Sequence, residues 1–144
     1  MSERLLGSRD DATAVHGGGG HPPEPASCAL RWWVDDAQPL PYGVEAAGPW
    51  GAARAYGRSL FDALRDVRRE LEAADWLLAV NGSRPDVHQS GMLSSSGSDL
   101  AYELRPGMPV DPGALVNLFA DASVDAVTSV DEQAAAYTRW LESL

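Results

Sequence analysis

"SLFDALRDVRRELEAADWLLAV", residues 59–80, sets a helix pattern directly before a strand pattern, and that junction decides the fold class. Leu60, Phe61, Leu64, Val67, Leu71 and Ala74 recur at steps of three and four, the stripe of an amphipathic helix. Ser59 stands where an N-cap belongs, and Asp62 three residues on completes a weak capping box. Asp62, Arg65, Asp66, Arg69, Glu70 and Glu72 make the opposite, solvated face, with opposite charges three or four residues apart. "WLLAV" (76–80) is apolar on both sides and reads as a central strand buried from both faces.

Upstream, "ALRWWVDD" from Ala29 alternates, with Leu30, Trp32 and Val34 on one side and Arg31, Trp33 and Asp35 on the other. "GVEAAG" reads as a short second strand with Val44 and Ala46 inward, and the turn-rich "PWGAARAYGR" as a partial helix. Downstream, "LAYELR" (100–105) alternates with Leu100, Tyr102 and Leu104 inward. "ALVNLFA" (114–120) is short enough to favour a strand over a helix. The last segment is a second helix, capped by Ser129 with Glu132 completing the box, and striped by Val130, Ala134, Tyr137, Leu141 and Leu144. Two one-sided helices among half-buried strands predict an α+β two-layer sandwich. One antiparallel or mixed sheet of about four to five strands would carry both helices on one face.

Residues 1–27 look different. Four consecutive glycines, three prolines and few core-forming side chains predict a flexible N-terminal arm, with a single α+β domain over 28–144. His16 and His21 flank the glycines, but two histidines on a flexible chain lack the further ligands a metal site needs. Nothing calls for a metal or any other cofactor.

All 11 basic residues are Arg, which points to a GC-rich bacterial genome, and the net charge is −10. The densest basic run, "RDVRRE" (65–70), is interleaved with acids, so nucleic acid and anionic membranes are unfavourable partners. A basic protein partner is electrostatically easier, although acidity also serves solubility alone. No apolar run could span a membrane, the first residues lack a signal-peptide pattern, and the lone Cys28 fits a reducing compartment, so a cytoplasmic location is expected.

The polar chemistry concentrates in "NGSRPDVHQSGMLSSSGSD" (81–99), a loop of about 18 residues where most connections are shorter. Asp86, His88 and Ser90 tempt a Ser-His-Asp reading. Alternate residues on an extended chain sit roughly 6–7 Å apart, too far for a triad. No nucleophile elbow and no Walker-type loop is present. Recognition of a partner demands least: Asn81, Arg84, Asp86, His88, Ser90 and Met92 offer the mixed chemistry of interfaces, beside Trp33 on the strand's other face. The plainer alternatives stay open. Arg84 and Asp86 could simply hold the loop to the body, and Trp33 could be buried under the N-terminal arm or the 37–57 segment.

The run of helix, Trp, apolar strand, N-G-x-R-x-D-V and S-G-M, continued in "VDEQAAAYTRWLESL", resembles a group of small acidic bacterial proteins over roughly residues 57–144. The resemblance implies a shared fold and a motif of Asn81, Gly82, Arg84, Asp86, Ser90, Gly91 and Met92, and it assigns no catalytic role. In general character the chain is similar to toxin-neutralising immunity proteins. The leading expectation is a non-enzymatic protein-binding module, with an immunity protein that neutralises a toxin as its first candidate. The rivals are a small enzyme or small-molecule binder using the 82–92 loop, with Arg84 holding an anion and Asp86 or His88 moving protons, and a homodimer through the open sheet face or an edge strand.

Overall fold

A computed structural model describes residues 3–17 and 24–144. The chain is α+β. A curled five-stranded antiparallel sheet contains β1 (Glu3–His16), β2 (Glu24–Asp35), β3 (Tyr42–Gly48), β4 (Gly51–Gly57) and β5 (Trp76–Leu78), in the order β4-β3-β2-β1-β5. Helix α1 (Leu60–Ala73) packs on β3, β4 and β5. A three-stranded sheet of β6 (Val87–His88), β7 (Leu100–Glu103) and β8 (Leu115–Asn117) follows, with the short α2 (Gly91–Ser95) between β6 and β7. Helix α3 (Val130–Glu142) ends the chain and lies against α1.

The helix read from residues 59–80 has the expected cap: the Ser59 hydroxyl accepts the Asp62 N–H at 3.0 Å. Its stripe meets Leu30, Trp32, Val44 and Ala46, the inward side of β2 and β3 expected from their alternation. Trp32 stacks on Phe119 at 4.0 Å and joins the second sheet to this core.

Several expectations need correction. Residues 3–16, expected in a flexible arm, form the sheet's longest strand, paired with β2 from Glu3↔Asp35 to His16↔Glu24. Only Ala12, Ala14 and Val15 of β1 enter the core. Backbone pairing rather than side-chain burial defines the strand, so a search for apolar residues passes over it. The His16 ring lies tilted against Trp76, with 4.7 Å between the ring centres, while His21 lies outside the described residues. "GAARAYG" is strand β4 and no helix, its small residues set in register against β3. "WLLAV" does not run through the middle of a sheet. Three of its residues pair with β1 at the sheet's end, and Ala79 and Val80 are buried beyond it. In β7 the phase is reversed at its start, with Ala101 buried and Leu100 exposed, because that strand belongs to the small sheet. No helix among the described residues is long and apolar enough to cross a membrane.

Candidate functional site

The 81–92 segment is built rather than loose. Asn81–Ser83 forms a single 3-10 turn, in which the Asn81 and Gly82 N–H groups donate to the carbonyls of Ala120 and Leu118. A Cβ on Gly82 would overlap the Leu64 side chain, so this position requires glycine for close approach to α1. Pro85 follows, and the Leu104 N–H donates to the Asp86 carbonyl.

Arg84 is the hub of this segment. Its Nε and Nη2 make a two-pronged pair with Asp86 (3.0 and 2.7 Å), and Nη2 also donates to Glu103 Oε2 at 2.7 Å. Nη1 donates to Asn81 Oδ1 at 3.3 Å, and Asn81 Nδ2 donates to the Asn117 carbonyl. Partial burial alone would lower the Arg84 pKa, but the bonds to Asp86 and Glu103 outweigh it and hold the group above its ordinary value. The plainer reading of Arg84 and Asp86 therefore describes their geometry: they clamp the turn onto β7 and β8.

Beneath them lies a buried knot formed by residues absent from the sequence-derived site. Arg68, 2% exposed, donates from Nη1 to Gly82 O (3.0 Å) and Gln133 Oε1 (2.6 Å), and from Nη2 to Thr128 O (2.9 Å). Gln133 Nε2 donates in turn to the carbonyls of Gly82 (2.9 Å) and Arg84 (2.8 Å). Burial pulls the Arg68 pKa down to about 10, against the attraction of Glu72, so the group remains charged at neutral pH. Glu72 also accepts the Val130 N–H at the start of α3. The knot ties α1, the 3-10 turn and α3 together.

His88 stands apart from both groups. Its ring stacks on Tyr137 of α3 at 3.7 Å and meets the edge of Phe61 of α1 at 5.3 Å. Burial pushes its pKa below the ordinary 6.5, against the pull of Asp62. It floors a groove of about 470 Å³ between α1 and α3, where Arg65 and Arg69 are paired with Asp62, Asp66 and Asp131. Ser90 Oγ accepts the Leu93 N–H and starts α2, and Met92 is 80% exposed. Asp86, His88 and Ser90 thus have three different sets of partners.

Trp33 is not the exposed indole that one reading offered. It is 0% exposed, although it lies on the sheet face away from α1. The indole occupies the space a side chain at Gly43 would need. Tyr56 meets it edge-on at 5.8 Å, and the Arg54 guanidinium covers it at 4.6 Å. Tyr56 and Arg54 belong to the 37–57 segment, one of the two covers that the alternative reading named, and Arg31 of β2 adds to them at 5.9 Å.

The helix stripe on α3 is largely uncovered. Val130 is buried, but Ala134 is exposed, as are Leu141 (47%) and Leu144 (61%). On the adjoining side, Trp140 Nε1 donates to the carbonyls of Arg105 (2.9 Å) and Met108 (3.1 Å). This holds the 105–108 loop along the last turns of α3. Among the described residues, no three His, Cys, Asp or Glu side chains form a metal-holding group. Burial raises the Cys28 thiol to about 11, which suits a packed core residue better than a nucleophile.

No protein-family model matches the chain, and no curated protein matches it.

Proposed function

We propose that this protein is a non-enzymatic protein-binding module that neutralises or escorts a basic partner, in the manner of an immunity protein. The observation that carries the reading is the fate of the polar residues in 81–92. Arg84, Asp86 and Asn81 are engaged with one another and with Glu103, while α3 turns apolar residues outward. A catalytic loop needs reactive groups directed at a substrate, whereas a binding module needs a rigid frame and an exposed apolar surface. The net charge of −10 favours a partner of opposite sign. Kinship with small acidic immunity-type proteins and a cytoplasmic location belong to the same proposal.

The groove floored by His88 favours a second reading, a small-molecule binder using that ring. Purification of the chain from cells that express it natively separates the two. A basic protein in stoichiometric amount supports the module. A chain isolated without any protein partner, whose melting temperature rises with a metabolite, would overturn it.

A further inference from the structure

Asn81 and Gly82 form the one Asn-Gly pair in the chain, a labile pair because glycine has no side chain to shield its backbone nitrogen. In an open chain that nitrogen, after losing its proton to water, attacks the carbonyl carbon of the Asn81 side chain. The bond from that carbon to Nδ2 breaks, and ammonia leaves with a proton taken up from water. Water then opens the resulting succinimide ring at either of its carbonyls, giving aspartate or isoaspartate. The other asparagine, Asn117, precedes Leu118, whose branched side chain hinders the same attack.

The folded turn engages both reacting groups. On the side of the nucleophile, the Gly82 N–H donates to the Leu118 carbonyl at 2.9 Å. The side-chain amide it would attack is held at both ends: Asn81 Nδ2 donates to the Asn117 carbonyl at 3.0 Å, and Oδ1 accepts from Arg84 Nη1 at 3.3 Å. The 3-10 conformation of Asn81–Ser83 fixes the backbone between the two groups, and the Gly82 carbonyl accepts from Arg68 (3.0 Å) and Gln133 (2.9 Å). Reaction therefore waits for the turn to open, and local stability sets how often that happens. The products do not fit back. Aspartate at position 81 has lost the donor to the Asn117 carbonyl and leaves a carboxylate oxygen facing it. Isoaspartate adds a methylene to the backbone just ahead of Gly82, where a Cβ would already overlap Leu64.

We propose that Asn81–Gly82 is a cryptic deamidation site. The fold keeps it unreacted, and once the turn opens, its conversion makes the loss of the frame between α1 and α3 permanent. The bonds that seat α3 thereby also set the lifetime of the chain. The inference is independent of the partner the protein binds.

The test incubates the full chain near neutral pH at physiological temperature, either folded or in guanidinium chloride, and follows both asparagines by fragment mass spectra. In denaturant Asn81 is expected to convert while Asn117 stays intact. In the folded chain the conversion at Asn81 should be slower by roughly a hundredfold or more, since only the opened fraction reacts. Gln133→Ala removes one of the donors to the Gly82 carbonyl, and its conversion while folded should run roughly tenfold faster than that of the folded wild type. Equal rates in the folded and unfolded wild type, or an unfolded chain that keeps Asn81, would overturn the proposal whether or not the variant folds. So would a folded Gln133→Ala chain that converts at the wild-type rate. Chains converted in denaturant are then refolded beside chains unfolded only briefly, and the converted ones should melt at a lower temperature. Identical melting would show that opening leaves no permanent mark, which also defeats the proposal.

Discussion

Arg68 lies four residues after Leu64 and three before Leu71, inside the apolar stripe of α1, and it is buried there as a cation. Its three acceptors and the 4.0 Å approach of Glu72 compensate the lost hydration. Arg68→Ala removes the donor and leaves buried carbonyls and the Gln133 amide oxygen without it. Equilibrium urea unfolding should show a loss of about 3–5 kcal/mol. This residue was accessible in the sequence only as an anomaly, a charge in phase with the leucines. Nothing local announces that its acceptors come from Gly82, Gln133 and Thr128, because those are brought near by the fold. Arg84 and Asp86 were legible, being two residues apart and followed by a strand, whereas their third partner, Glu103, was not.

His88 supplies the residue-scale pH prediction. Its pKa is lowered in the folded chain by burial, so on acidification the unfolded chain takes up the proton first. More than about one pH unit above the ordinary 6.5 both states are neutral and the group contributes no pH dependence. As pH falls through that value the folded state loses stability relative to the unfolded one, until the folded pKa is passed. The melting temperature should therefore drop between about pH 7.5 and 5.5, a window above the usual carboxylate range. In His88→Phe, which keeps an aromatic ring against Tyr137, the drop should be smaller. An identical drop in both proteins would remove His88 as its source.

At the scale of elements, the helices and the β2 alternation were readable because their side chains decide them. Leu30, Trp32, Val44 and Ala46 face the core as their spacing requires. The strands that were missed, β1 and β4, contain Gly, Ala, Ser and charged residues, and their backbone ladders decide them instead. The end of α3 went the other way. Its Tyr137, Leu141 and Leu144 have correct helical spacing, yet the stripe meets no large sheet, so periodicity established the helix without establishing a cover for it. The 3-10 turn at Asn81–Ser83 is the element that seats α3, through Gln133. Gly82→Ala would force its methyl against Leu64 and strain both the turn and the knot. Chemical denaturation should report a loss of about 1–3 kcal/mol, the usual cost of overpacking. Values near zero would mean that α1 and the turn separate easily, and the frame ascribed to them would be too soft.

At the scale of the whole molecule, two features coincide. Negative charge is concentrated in residues 103–144, and the same residues carry Met108, Val110, Leu141 and Leu144 exposed. The large sheet's outer face is different: Arg54 is paired with Glu45, and Trp33 is sealed beneath Arg54 and Tyr56. Trp33 is thus sealed, although Leu5 beside it on the same face is half exposed, and residues 103–144 combine exposed apolar side chains with a net negative charge. The most direct measurement is co-purification from native cells with two baits, the wild-type chain and a Met108→Asp/Leu141→Asp double variant. The account predicts that the wild type retains one basic protein in equimolar amount, released by high salt, and that the folded double variant does not retain it. Equal retention by both baits, or a wild-type chain that emerges with no protein bound, would contradict it.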